Sequence, residues 1–151
     1  MKKTKNIYDL PFPPNTKVAF IVKENQAHTG SFKGAVDFAV KLQTPVLAPL
    51  DGEVLEVVDS NDKFGITEEF APYANFITIK HTNNEFSQLL HLEKGSSLVR
   101  AGEKVKKGNQ IALTGNSGWM TNPHIHMFVF KLVPKGDGFE GLEIRFKKKM
   151  Q

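Results

Sequence analysis

The sequence predicts an all-β fold of antiparallel sheets, arranged as an open sandwich or barrel-sandwich. Three observations carry this expectation. Short apolar runs recur along the chain, bounded by Gly, Asn, Asp and Pro. No stretch of 11 residues sustains the roughly 3.6-residue apolar period of a helix. No internal linker, repeat or low-complexity tract divides the 151 residues, a length that suits one hydrophobic core.

In chain order, residues 1–17 read as an extended lead-in, rich in proline at Pro11, Pro13 and Pro14. Val18 to Val22 is the first expected strand and Ala35 to Val40 the second. Val46 to Pro49 leads to Asp51-Gly52 and then to Glu53 through Val58. Asp-Gly between two apolar runs predicts a hairpin. Residues 61–75 form a polar loop without clear periodicity. Phe76 to His81 alternates, Asn83-Asn84 supplies a turn, and Phe86 to Leu92 is the hairpin partner. A Gly-punctuated stretch covers Val99 to Ala112, and a loop runs from Thr114 to Trp119. Pro123 to Phe130 is apolar and aromatic enough to be a buried strand, and Leu142 to Phe146 is the expected last one. The expected organisation is a lead-in at 1–17, one domain at 18–135 and a basic strand and tail at 136–151.

Composition narrows the chemistry. There is no cysteine, which removes disulfides, thiolate ligands and a cysteine nucleophile. Any metal must be held by imidazole and carboxylate, which favours zinc or a similar cation. The net charge is +4, with much of the excess in Met1-Lys2-Lys3-Thr4-Lys5 and Arg145-Phe146-Lys147-Lys148-Lys149. Such ends read first as solvated tails and second as contacts for an anionic polymer. No aromatic-interleaved basic motif points to nucleic acid. No apolar stretch is long enough to span a membrane. Ile7 to Pro14 is broken by Asp9 and three prolines, so no signal peptide is expected and the cytoplasm stays open as a compartment.

Five histidines and one aspartate are the candidate chemistry. His124 and His126 lie two apart in the expected strand, so both rings face one side, about 6–7 Å apart. Asp37 sits mid-strand between Val36 and Phe38, and a carboxylate there needs a partner: a metal, a lysine or backbone N–H groups. His28 lies in the loop Gln26-Ala27-His28-Thr29-Gly30. His91 shares a strand face with Ser87 and Leu89. Taken singly, His28 reads as an exposed loop residue and His91 as a packed one, and His81 is expected to be structural.

The ordered set resembles the M23 peptidases, the lysostaphin-like zinc endopeptidases of bacterial cell walls. Gly34-Ala35-Val36-Asp37-Phe38-Ala39 resembles their aspartate segment. Thr44-Pro45-Val46 through Ala48 and Asp51-Gly52-Glu53-Val54 resembles the family's Gly-Thr-Pro-Val, Ala and Asp-Gly-x-Val run. His91-Leu92, the Gly102 to Ile111 loop, Gly115-Asn116-Ser117-Gly118 and Pro123-His124-Ile125-His126 follow in the family's order. The likeness covers about residues 20–132. It implies a lysostaphin-type peptidase domain with one zinc ion on His28, Asp37 and His126. It implies that His91 and His124 face the metal without binding it and act in catalysis. It further implies a peptidoglycan stem or cross-bridge peptide as substrate and the cell envelope as compartment.

The residues are consistent with that division. Three protein ligands leave a fourth position for water, and without a His-Glu-x-x-His glutamate the proton work falls to imidazoles. Two positions depart from the family's usual pattern. Lys33 stands four before Asp37, where the usual ligand histidine would be, and His28 lies nine before it, as in a longer form with extra residues ahead of an Ala-x-Asp-Phe segment. Leu89 replaces the usual Tyr before His-Leu. These departures motivate an alternative, a non-catalytic M23-like binding or regulatory module. A carrier module of barrel-sandwich type, phosphorylated on His91 or His124, is a third reading. Phe32 and Trp119 are expected in packing or along a substrate groove, and Asn116 and Thr121 as local orienters of the loop.

Overall fold

The computed structural model describes residues 1–23 and 28–147. Its strands are β1 (Lys3–Tyr8), β2 (Ile21–Val22), β3 (Val36–Phe38), β4 (Pro45–Leu47), β5 (Gly52–Val58), β6 (Phe64–Gly65) and β7 (Phe76–Lys80). They continue as β8 (Glu85–Leu90), β9 (Lys104–Val105), β10 (Gln110–Leu113), β11 (Gly118–Trp119), β12 (Ile125–Leu132), β13 (Phe139–Gly141) and β14 (Glu143–Phe146). Two short 3-10 helices, Gly30–Phe32 and Glu68–Tyr73, are the helical elements among the described residues. The main sheet has the order β2-β3-β12-β8-β7-β5-β9, with β13 added to β12. All its pairings are antiparallel. The all-β, antiparallel expectation therefore holds, with two small parallel pairs added, β1 with β14 and β6 with β11.

β12 explains how the fold positions chemistry. Side chains alternate along a strand. Ile125, Met127 and Val129 enter the core with Val36, Phe38, Ile77, Ile79 and Leu89 from neighbouring strands. His126, Phe128 and Phe130 take the other face. β3 obeys the same parity: Val36 and Phe38 are core, and Asp37 points away from it. The register sets His126 opposite Asp37, and on its other side opposite Leu90 of β8. The aromatic side chains on this outer face support one another, with Phe128, Phe130 and Phe139 packed ring to ring and Phe32 against both Phe128 and Phe139.

The β7–β8 hairpin forms as its turn chemistry predicts. Asn83 and Asn84 have φ of 64° and 55°, the pair of left-handed residues of a type I′ turn. The hairpin expected at Asp51-Gly52 does not form. β4 pairs with β10, while β5 pairs with β7 and β9, so the turn carries the chain from one sheet to another. The reason is local: Gly52 lies against the Lys80 carbonyl with no room for a Cβ, and the Asp51 carboxylate accepts the Lys107 N–H at 2.9 Å. The 61–75 loop is likewise more ordered than its composition indicated, since it holds β6 and the second 3-10 helix.

Within 1–17, β1 runs parallel to β14 and Tyr8 is fully buried. The Tyr8 hydroxyl donates to Glu85 Oε1 at 3.0 Å, and the Lys5 and Asn6 N–H groups donate to the same carboxylate at 2.6 and 3.2 Å. Burial, with Glu85 beside it, pushes the Tyr8 phenol pKa well above its ordinary value. Of the basic C-terminal run, Lys148 and Lys149 lie outside the described residues.

Candidate metal centre and active site

Four histidines and Asp37 meet on the outer face of the main sheet. β3 supplies Asp37, β12 supplies His126, and His124 precedes β12 by one residue. His91 follows the last residue of β8 with a φ of 69°, a left-handed turn that ends the strand. His28 comes from the loop before the first 3-10 helix. All four rings are buried.

Asp37 Oδ1 is the hub. His126 Nδ1 lies 2.9 Å from it, His28 Nε2 3.2 Å and His124 Nε2 3.6 Å. The donor atoms of His28, Asp37 and His126 all lie within 4.8 Å of one another, and so do those of His91, His124 and His126. Lys33 ends the first 3-10 helix, its N–H bonded to the Gly30 carbonyl, and is not part of the cluster. His28 reaches Asp37 in its place.

Backbone carbonyls fix which ring nitrogens carry protons. A carbonyl oxygen only accepts. His28 Nδ1–H therefore donates to the Lys23 carbonyl at 3.1 Å, His91 Nδ1–H to the Ser117 carbonyl at 2.7 Å and His124 Nδ1–H to the Asn122 carbonyl at 2.7 Å. In the neutral rings each Nε2 is then a lone pair, and those of His28 and His124 are turned toward Asp37. Lone-pair atoms this close repel unless a positive charge lies between them. A tetrahedral zinc with bonds of about 2.0–2.1 Å sets its ligand atoms about 3.3 Å apart, close to the His28–Asp37 and His126–Asp37 separations. The donor set fits a divalent cation.

The electrostatics show the same pull. Burial raises the Asp37 pKa, yet hydrogen bonding to His126 and His28 and the histidine charges outweigh it and hold the carboxyl far below its usual range. Burial disfavours charge on His28, but bonding to Asp37 and its negative charge win, and the pKa rises. His91 has no such partner. Burial first, then neighbouring His124 and His126, push it down to about 3. Burial also lowers His124. His91 and His124 stay neutral near pH 7, and their rings face each other with centroids 4.4 Å apart.

A groove leads to this cluster. It is lined by Thr29, Phe32, Glu68, Ala71, Leu90 and Trp119 together with His91 and His126. Phe32 is 48% exposed and packs against the rings of Phe128 and Phe139, so it presents an aromatic face to the groove. Trp119 is anchored by its indole N–H to the Ile66 carbonyl at 3.1 Å. His81 takes no part: its Nδ1–H donates to the Asp51 carbonyl at 2.7 Å, its Nε2 accepts from the Ser87 hydroxyl at 2.8 Å, and its ring meets Tyr8 edge-on.

Two residues escaped the sequence reading. Asn75 and Ser117, both fully buried, tie the loops around His91 together. Asn116, nominated there, makes no side-chain hydrogen bond among the described residues, and Thr121 bonds only to Asn122. Asn75 carried no local signal, because its partners are distant in sequence.

The model of Peptidase family M23 matches residues 31–137. The chain belongs to this family. As an M23 chain it is 36% identical over 117 residues to the peptidoglycan DD-endopeptidase ShyA of Vibrio cholerae, an alignment that covers 77% of this chain and 22% of ShyA. An uncharacterized metalloprotease of Buchnera aphidicola is 38% identical over 110 residues, 73% of this chain and 25% of the relative. The M23 chain thus spans about a quarter or less of these curated relatives. Among solved structures, a zinc-containing peptidase of Vibrio cholerae superposes with a TM-score of 0.60 at 25% identity, covering 82% of this chain and 36% of that one. The catalytic domain of the prophage-encoded M23 protein EnpA of Enterococcus faecalis shares the fold, with a TM-score of 0.61 at 23% identity over 89% of this chain and 92% of that domain.

Proposed function

We propose that this M23 domain is a zinc-dependent endopeptidase that cuts stem or cross-bridge peptides of peptidoglycan in the cell envelope, with residues 18–135 as the peptidase unit. The observation that carries it is the convergence of His28, Asp37 and His126 donor atoms at the spacing a tetrahedral cation needs. ShyA is named a peptidoglycan DD-endopeptidase, which supports the substrate class.

His28, Asp37 and His126 would hold the ion. Zinc held there would supply Lewis-acid polarisation of the scissile carbonyl and would make water more acidic. The other steps belong to the chain. The groove between Phe32 and Trp119 receives an extended peptide and aligns it over the histidines. His91 and His124, neutral and with Nε2 unprotonated, take a proton from the nucleophilic water and return it to the leaving amine. In its protonated form either ring donates a hydrogen bond to the oxyanion.

Purified peptidoglycan incubated with the zinc-loaded protein is expected to release soluble peptides, and a strong chelator to abolish that release. His126→Ala is expected to lose bound metal and activity together. His91→Ala is expected to retain stoichiometric zinc and lose about 100-fold or more in rate, the scale of a general acid–base group. Activity that survives complete metal removal would refute the mechanism. A protein that takes up no zinc at all would support the non-catalytic module instead.

A further inference from the structure

We propose that Asn75 is a positioning residue for His91, acting through Ser117 and the Leu92 carbonyl to hold the ring with Nδ1 protonated and Nε2 open to the substrate groove. This rests on the reading of His91 as a proton-transfer group.

The side chain of Asn75 makes three hydrogen bonds. Its Nδ2 donates to the Asn61 carbonyl at 2.8 Å and to the Leu92 carbonyl at 3.0 Å, and its Oδ1 accepts the Asn61 N–H at 3.0 Å. Its backbone is committed as well. The carbonyl accepts the N–H groups of His91 at 3.0 Å and Leu92 at 3.3 Å, and the N–H donates to Ser117 Oγ at 3.0 Å. Ser117 Oγ donates onward to the Leu92 carbonyl at 3.0 Å, while the Ser117 carbonyl receives His91 Nδ1–H. Every side-chain polar atom of this junction is used, and both residues are at 0% exposure.

The junction answers a specific difficulty. His91 leaves β8 at a φ of 69°, a left-handed conformation that is strained for a non-glycine residue. Its ring is buried and has one anchor, the Ser117 carbonyl. If that carbonyl moved, the ring would be free to flip or to adopt the other tautomer, with Nε2 protonated and useless as an acceptor. Bonds to Ser117 Oγ from the Asn75 N–H and to the Leu92 carbonyl from the Asn75 amide remove that freedom. The same amide orders Asn61, at the start of the segment that leads to Trp119's partner Ile66. One side chain thereby bears on two residues that line the groove, His91 and Trp119.

The test compares zinc-loaded wild type, Asn75→Asp, Ser117→Ala and Ser117→Thr. Asn75→Asp keeps the shape and removes both amide donors. Imidazole 15N–1H spectra are expected to show His91 in wild type as the single Nδ1–H tautomer, and in Asn75→Asp and Ser117→Ala as a mixture with Nε2–H. Against a peptidoglycan peptide, kcat is expected to fall about 10- to 100-fold with KM within twofold and zinc content unchanged. Ser117→Thr, which restores the hydroxyl, is expected to recover both the spectrum and most of kcat. Wild-type tautomer and kcat in both Asn75→Asp and Ser117→Ala would overturn the proposal. If Asn75→Asp does not fold, Ser117→Ala alone decides. If wild type cleaves nothing, the peptidase reading fails and the spectra still decide the role of Asn75.

Discussion

At the residue scale, the histidines divide by what touches them. His28 faces a carboxylate and is drawn toward charge, whereas His81 and His91 sit on carbonyls in dry surroundings and are driven to neutrality. This has a thermodynamic consequence for His81, which stands apart from the His28, Asp37 and His126 cluster. Burial outweighs the opposing pulls of the Asp51 carbonyl and of the Glu85 and Asp51 carboxylates, and lowers its folded pKa below the ordinary 6.5. Above about pH 6.5 neither state binds the proton. Below it the unfolded chain does and the folded chain does not, so stability falls as pH drops from 6.5 toward the folded pKa. Urea midpoints measured from pH 8 to pH 5 in zinc-saturated protein are expected to decline, and His81→Gln to decline less over that window. Asp37, His124 and His126 were legible in the sequence because strand parity is a local property. The pairing of His28 with Asp37 was legible only through resemblance, since a loop histidine announces no partner. Asn75 was not legible at all, because its own segment must meet those of Asn61 and Leu92 before its amide has work.

At the element scale, each strand is set by its partners. Asn83-Asn84 could be read as a hairpin turn because both residues accept positive φ, a preference written into the side chains. Asp51-Gly52 misled because its glycine serves a close approach between sheets, which no window of sequence records. Gly118 is a comparable case in the loop beside the histidine cluster. It opens β11 at a φ of 82°, and a Cβ there would meet the Ala74 side chain and backbone at 2.6–3.0 Å. Gly118→Ala is expected to destabilise the fold by about 1–3 kcal/mol. The same change should loosen Trp119, which follows it on β11. Denaturant unfolding and the accessibility of the single tryptophan to a collisional quencher provide the measurement.

At the scale of the whole molecule, the first strand closes the structure. β1 pairs with β14 and plants Tyr8 in the core, where Glu85 gathers its hydroxyl and two backbone N–H groups. A proline-rich lead-in gave no sign of this, because the signal lies in Glu85, 77 residues downstream of Tyr8. Tyr8→Phe keeps the ring and removes one bond to a carboxylate. The expected loss is about 1.5–3 kcal/mol by urea unfolding, with zinc content and peptide cleavage unchanged at 25 °C.

The alternation along β12 has a practical corollary. Odd-numbered positions from 125 to 129 answer to the hydrophobic interior, while even-numbered ones answer to chemistry and to the aromatic support beside it. Two mutational libraries built on one short strand, offset by a single position, would therefore report on different properties: the first on whether the chain folds, the second on what the folded chain can do.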